Sequence, residues 1–107
     1  MAHLKLKIEF GGGLELLFSN QRTHFVAIPS TVPQGDNKGQ PADINFLTHW
    51  LRDNLLKERP ELFIDTGTVR PGILVLVNDT DWELEGEGEY KLREDDEIVF
   101  ISTLHGG

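Results

Sequence analysis

Gly106 and Gly107 end the 107-residue sequence, and any chemistry they do belongs to the backbone, since neither has a side chain. An extended Gly-Gly end can thread a narrow channel and bring its α-carboxylate to ATP, so the terminus is itself a candidate substrate. Glycine supplies 11 of the 107 residues, which gives a chance Gly-Gly ending a probability of about 1% against ordinary usage. A frayed end or a cloning scar is the bland alternative.

The other constellations fall short of a site. Gly11-Gly12-Gly13 follows an extended segment, the setting in which backbone amides cradle phosphate. Leu16, however, stands where the dinucleotide fingerprint requires its third glycine, and no βαβ unit follows, so a flexible turn is the reading. Asp81, Glu83, Glu85 and Gly86 match part of a calcium loop, but Leu92 occupies the position of the bidentate glutamate. A solvated acidic face that discourages edge pairing explains these residues better. His3, His24, His49 and His105 show none of the short spacings of zinc ligands, and no metal site is expected. Trp50 and Trp82 read as core or patch aromatics. The absence of cysteine excludes disulfides, thiolate metal ligands and a cysteine nucleophile. No catalytic residue emerges, and the chain is not expected to be an enzyme.

Charge and length narrow the class further. Ten Lys and Arg against eighteen Asp and Glu give a net charge of −8, which counts against direct binding of nucleic acid or of an anionic membrane. The longest apolar run, Ile73–Val77, is far short of the ~20 residues that span a bilayer. Residues 1–13 alternate charge and apolarity instead of forming a signal core, so residence in the cytoplasm or the nucleus is expected. One domain over residues 1–107 is the natural division, with enough buried surface for a core without staples.

The elements that would hold the terminus can be read in order. Leu4, Leu6, Ile8 and Phe10 alternate with Lys5, Lys7 and Glu9, the period of a strand with one buried face. Leu14–Phe18 is too densely apolar to alternate and reads as a short helical turn, with a strand as the alternative. Residues 24–28 resume extended character and should pair antiparallel with the first strand. Residues 30–41, rich in Pro, Gly, Asn and Gln, predict a mobile loop. Asp43 can cap a helix striped by Ile44, Leu47, Leu51 and Leu55 and widened by Phe46 and Trp50. Pro60 should end it, with Lys57 and Arg59 in its last turn. Ile73–Val77 is apolar throughout and should lie centrally in the sheet. Residues 79–97 hold ten of the eighteen acids and predict short edge elements, and residues 98–101 form a last strand before a tail at 102–107. One helix across one face of a mixed sheet is an α+β, ubiquitin-like β-grasp roll.

Three blocks carry a resemblance. Arg59-Pro60-Glu61-Leu62-Phe63, Val69-Arg70-Pro71-Gly72 running through Ile73–Val77 to Asp81-Trp82-Glu83-Leu84, and Phe100-Ile101-Ser102-Thr103-Leu104-His105-Gly106-Gly107 resemble the ubiquitin-related modifier family over nearly the whole chain. The Pro/Gly-rich stretch 32–40 departs from it as a loop insertion. The resemblance implies a sulfur carrier. A ubiquitin-activating-type enzyme with sulfurtransferase activity would consume ATP to adenylate Gly107, and a persulfide would then convert it to a thiocarboxylate. The sulfur would pass through a tRNA thiolase complex to wobble uridine. The same activated end would be joined to lysines of target proteins such as peroxiredoxins, under oxidative stress.

In that scheme Gly107 carries the sulfur and Gly106 gives backbone freedom, while Leu104 and His105, with Thr103 before them, position the tail in the partner's channel. The carrier would bind no cofactor and act as a monomer. Two rival classes stay open: a noncovalent ubiquitin-like interaction module with an inert terminus, and a small subunit of molybdopterin synthase. The Arg-Pro-Gly and Asp-Trp-Glu-Leu blocks favour the modifier by resemblance.

Overall fold

A computed structural model describes residues 2–103. Strand β1 (His3–Gly11) turns through the 3-10 segment Leu14–Phe18 into β2 (Thr23–Pro29). The pair is antiparallel, with Leu6 opposite Val26 and Lys7 opposite Phe25. Helix α1 (Ile44–Asn54) follows, then the small hairpin β3 (Ile64–Asp65) and β4 (Thr68–Val69), then β5 (Ile73–Val77), the edge strand β6 (Thr80–Asp81), and β7 (Glu97–Ser102). The main sheet runs in the order β2-β1-β7-β5-β6, with β1 and β7 parallel. The helix covers one sheet face, which is the expected ubiquitin-like β-grasp arrangement.

Leu6, Ile8 and Phe10 of β1, Ile73, Val75 and Val77 of β5, and Ile98 and Phe100 of β7 are buried against Ile44, Leu47 and Leu51 of α1 in one core. Period-2 residues from the strands thus meet the helical stripe, and their removal from water is the main drive to this packing. Asp43 caps α1 by accepting from the Phe46 N–H at 2.8 Å. Buried Thr48 satisfies its hydroxyl by donating to the Ile44 carbonyl, also at 2.8 Å.

Two expectations change: where the helix ends, with the basic residue of its last turn, and which strand is central. The helix ends at Asn54, before Pro60 can act: the N–H groups of Leu55 and Leu56 both reach the Leu51 carbonyl at 2.9 Å. Lys57 then donates to the Leu17 carbonyl at 3.0 Å, so the chain leaves the helix to pin the Leu14–Phe18 turn. Lys57 and Arg59 consequently lie beyond the helix, and Arg52 is the basic residue of its last turn. The sheet centre belongs to β7; β5 is fourth, and its outward residues Leu74 and Leu76 are half-buried, which hides its alternation from the sequence. The loop at 30–41 has a hydrogen-bonded base, with Val32 donating to Gln40 at 2.9 Å and Gly39 to Val32 at 2.8 Å.

The acid-rich stretch forms β6 and two 3-10 turns, Trp82–Leu84 and Glu87–Glu89, as expected of short edge elements. Asp96 is the exception among its acids, being buried. It accepts from Asn78 Nδ2 at 2.9 Å, the Tyr90 hydroxyl at 2.8 Å and the Arg93 N–H at 2.9 Å, and so fastens the acidic loops to the start of β7.

Candidate functional site

Four phenylalanines build the platform from which the tail springs. Phe10 of β1 stacks on Phe18 with centroids 3.8 Å apart and planes 8° from parallel, and on Phe100 of β7 at 5.7 Å. Phe63 meets Phe18 edge-on at 5.3 Å and Phe100 at 5.4 Å. Edge-on and offset contacts of this kind are worth about 0.5–1.5 kcal/mol each beyond area burial. They lock β1, the Leu14–Phe18 turn, the segment after Pro60 and β7 into one unit, two residues before the strand ends.

Beyond Phe100 the backbone remains held. Ser102 pairs with Ile73 across the β5–β7 ladder. Thr103 donates its N–H to the Gly72 carbonyl at 2.9 Å, and its hydroxyl donates to the same oxygen. Gly72, at φ 98°, offers that carbonyl from the Arg70-Pro71-Gly72 turn, which positive φ makes a glycine position. On the other side Gly12, at φ 67°, lies so close that an added Cβ would run into the Ser102 carbonyl. Gly12 therefore has a structural use, close approach to the last strand, and no phosphate cradle is needed to explain it.

Of the residues singled out in the sequence, Thr103 is placed by these bonds. Leu104, His105, Gly106 and Gly107 lie outside the described residues. The other candidates are engaged elsewhere. Asp81 accepts from the Glu83 N–H at 2.9 Å to cap the Trp82–Leu84 turn. Since a carbonyl can only accept, the ring Nε2 of His49 donates to Gly67 at 2.8 Å and that of His24 to Gln21 at 2.9 Å. Trp50 and Trp82 are half-buried against the core, as expected. Among the described residues no group of three or more His, Asp or Glu could hold a metal, and no helix is long and apolar enough to cross a membrane.

A groove of about 520 Å³ opens beside the tail root, between the Leu14–Phe18 turn and the segment around Arg59 and Leu62, with Arg70 and Ser102 in its wall. Sequence reasoning overlooked it, although Arg59-Pro60 and Arg70-Pro71, two basic residues each followed by a proline, were visible as paired turn signals.

The sequence model of the family described as Urm1 (Ubiquitin related modifier) matches residues 5–107. A ubiquitin-related modifier 1 of Laccaria bicolor is 67% identical over 113 residues, covering 95% of this chain and 93% of the relative. That of Homo sapiens is 54% identical over 106 residues, covering 99% and 98%. The solution structure of Urm1 from Trypanosoma brucei superposes with a TM-score of 0.73 at 44% identity, over 100% of this chain and 99% of the other. Matches of this identity and extent, on the same roll and up to the tail, make the chain a member of the ubiquitin-related modifier family, whose members are ubiquitin-like modifiers and sulfur carriers and not enzymes.

Proposed function

We propose that the chain is a sulfur carrier whose working group is the α-carboxylate of Gly107. The observation that carries this reading is the tail root: the last strand is central in the sheet, and Thr103 is fixed on Gly72, so the four residues that follow start from a rigid base. Extended, four residues reach roughly 14 Å, enough to enter a partner's channel while the folded body stays outside. Leu104 and His105 would position them, and Gly106 would let the backbone pass where a side chain could not.

A carboxylate is a poor electrophile. Attack on the α-phosphorus of ATP, with pyrophosphate leaving, gives an acyl adenylate. The terminal sulfur of a persulfide on a ubiquitin-activating-type enzyme then displaces AMP, and a second thiol reduces the resulting acyl disulfide to the thiocarboxylate. ATP and persulfide belong to the enzyme, and the carrier holds no cofactor. Downstream, the sulfur would go through a tRNA thiolase complex to wobble uridine. The activated end would also be transferred to lysines of proteins such as peroxiredoxins, in the cytoplasm or the nucleus.

Appending one alanine after Gly107 moves the carboxylate about 3.5 Å, where displacements near 1 Å can already cost about a hundredfold in rate. The extended variant, and one lacking Gly106 and Gly107, should melt as the wild type does and lose ATP–pyrophosphate exchange with the activating enzyme. Wild-type exchange by either variant would overturn the proposal.

A further inference from the structure

The groove beside the tail root sets two arginines beside an exposed leucine in an otherwise acidic molecule. Leu16 is 60% exposed between buried Leu14 and Leu17, held outward by a turn whose backbone is pinned by Lys57. Leu62 forms the opposite apolar wall and is half-buried. Arg59 and Arg70 flank it, and among the described residues neither makes an ion pair; the acid in the lining is Glu58. Two guanidinium groups that make no ion pair among the described residues, beside an outward leucine in a chain of net charge −8, make a positive and apolar island at the tail's point of departure.

We propose that this groove is the docking surface for an acidic and apolar segment of the activating enzyme, with an apolar side chain seated between Leu16 and Leu62 and carboxylates on Arg59 and Arg70. The inference rests on the carrier reading above. An enzyme that takes the four residues after Thr103 must come within their reach of roughly 14 Å, and so must cover the surface around Ser102. Arginine suits this use because its planar fork binds carboxylate in bidentate fashion. The other exposed large apolar residues lie apart from the groove: Phe25 is on β2, and Leu84 sits among Glu83, Glu85 and Glu87, where an acidic partner would be repelled.

The test is pyrophosphate exchange measured over a range of carrier concentrations for wild type, Leu16→Ala, Arg59→Glu, the double change Arg59→Glu with Arg70→Glu, and Leu84→Ala. The double charge reversal should raise KM for the carrier by about tenfold or more with kcat unchanged, since docking is equal in ground and transition states. Added salt should shrink the difference. Leu16→Ala should raise KM several-fold, and Leu84→Ala should leave it as in wild type. Thermal melts identify a variant that has lost its fold, in which case Arg59→Gln and Leu16→Ala carry the test. Unchanged KM in the folded Arg59 and Leu16 variants would overturn the docking surface while leaving the carrier reading intact. Absence of exchange by wild type at every concentration would overturn both. A wild-type dimer in sedimentation that Arg59→Glu dissociates would assign the groove to a second copy instead.

Discussion

Burial, reinforced by the hydrogen bond to the Asp96 carboxylate, pushes the Tyr90 phenol up to about 12 from its ordinary value of 10.0. The folded state therefore keeps the proton more tightly than the unfolded chain does. Stability from this group is fully present below pH 10 and is lost as the pH rises from there towards about 12. Tyr90→Phe should flatten that alkaline decline, and melting temperatures recorded across this window check it; a variant that declines as steeply as wild type would show that the phenol has no part in it. None of this could be read locally. Asp96 stands among ten acids in nineteen residues, and only the meeting of Asn78, Tyr90 and Arg93 around it separates a buried acceptor from the solvated carboxylates nearby. The value of Gly12 was legible in type but not in cause, because its neighbour is ninety residues away.

Helix α1 shows what an element's sequence can and cannot specify. Its start was legible because Asp43 is a cap followed at once by the apolar stripe, and Leu51 was correctly placed in the core. Leu51→Ala should therefore cost roughly 2 to 4 kcal/mol through lost burial and the cavity left behind. Chemical denaturation showing a change under about half a kcal/mol would contradict this packing. The helix end was not legible, because Pro60 only sets a limit: the chain stops earlier, with the Leu55 and Leu56 N–H groups closing on the Leu51 carbonyl, and Lys57 then turns to a distant acceptor, the Leu17 carbonyl. The loop at 30–41 closes on its own backbone and is largely exposed. Replacing residues 34–39 by a two-residue Asn-Gly turn should leave the melting temperature and activation nearly unchanged, since the Val32–Gln40 contact already brings the ends together. A folded variant that fails in exchange would show that the insertion meets the enzyme.

At the scale of the whole molecule, the succession of patterns was enough for the roll, because a hairpin, a crossing helix and later strands leave few right-handed arrangements. The middle strand was not legible: β5 and β7 are both apolar, and only long-range pairing puts the last strand between β1 and β5. That placement has a mechanical consequence. β1 and β7 run parallel, in register from Lys7 opposite Glu97 to Gly11 opposite Ile101, so the chain enters at one end of this ladder and leaves at the other. A load applied through Ala2 and Thr103 strains those hydrogen bonds together, in shear. A load through His3 and Pro29, at the open end of the β1–β2 hairpin, opens its bonds one after another. Single-molecule pulling should give a higher rupture force for the first attachment than for the second, and equal forces would contradict the topology. The C-terminal end of the described chain is thus anchored in a ladder that meets a pull against the N-terminal end in shear, and not in one that unzips.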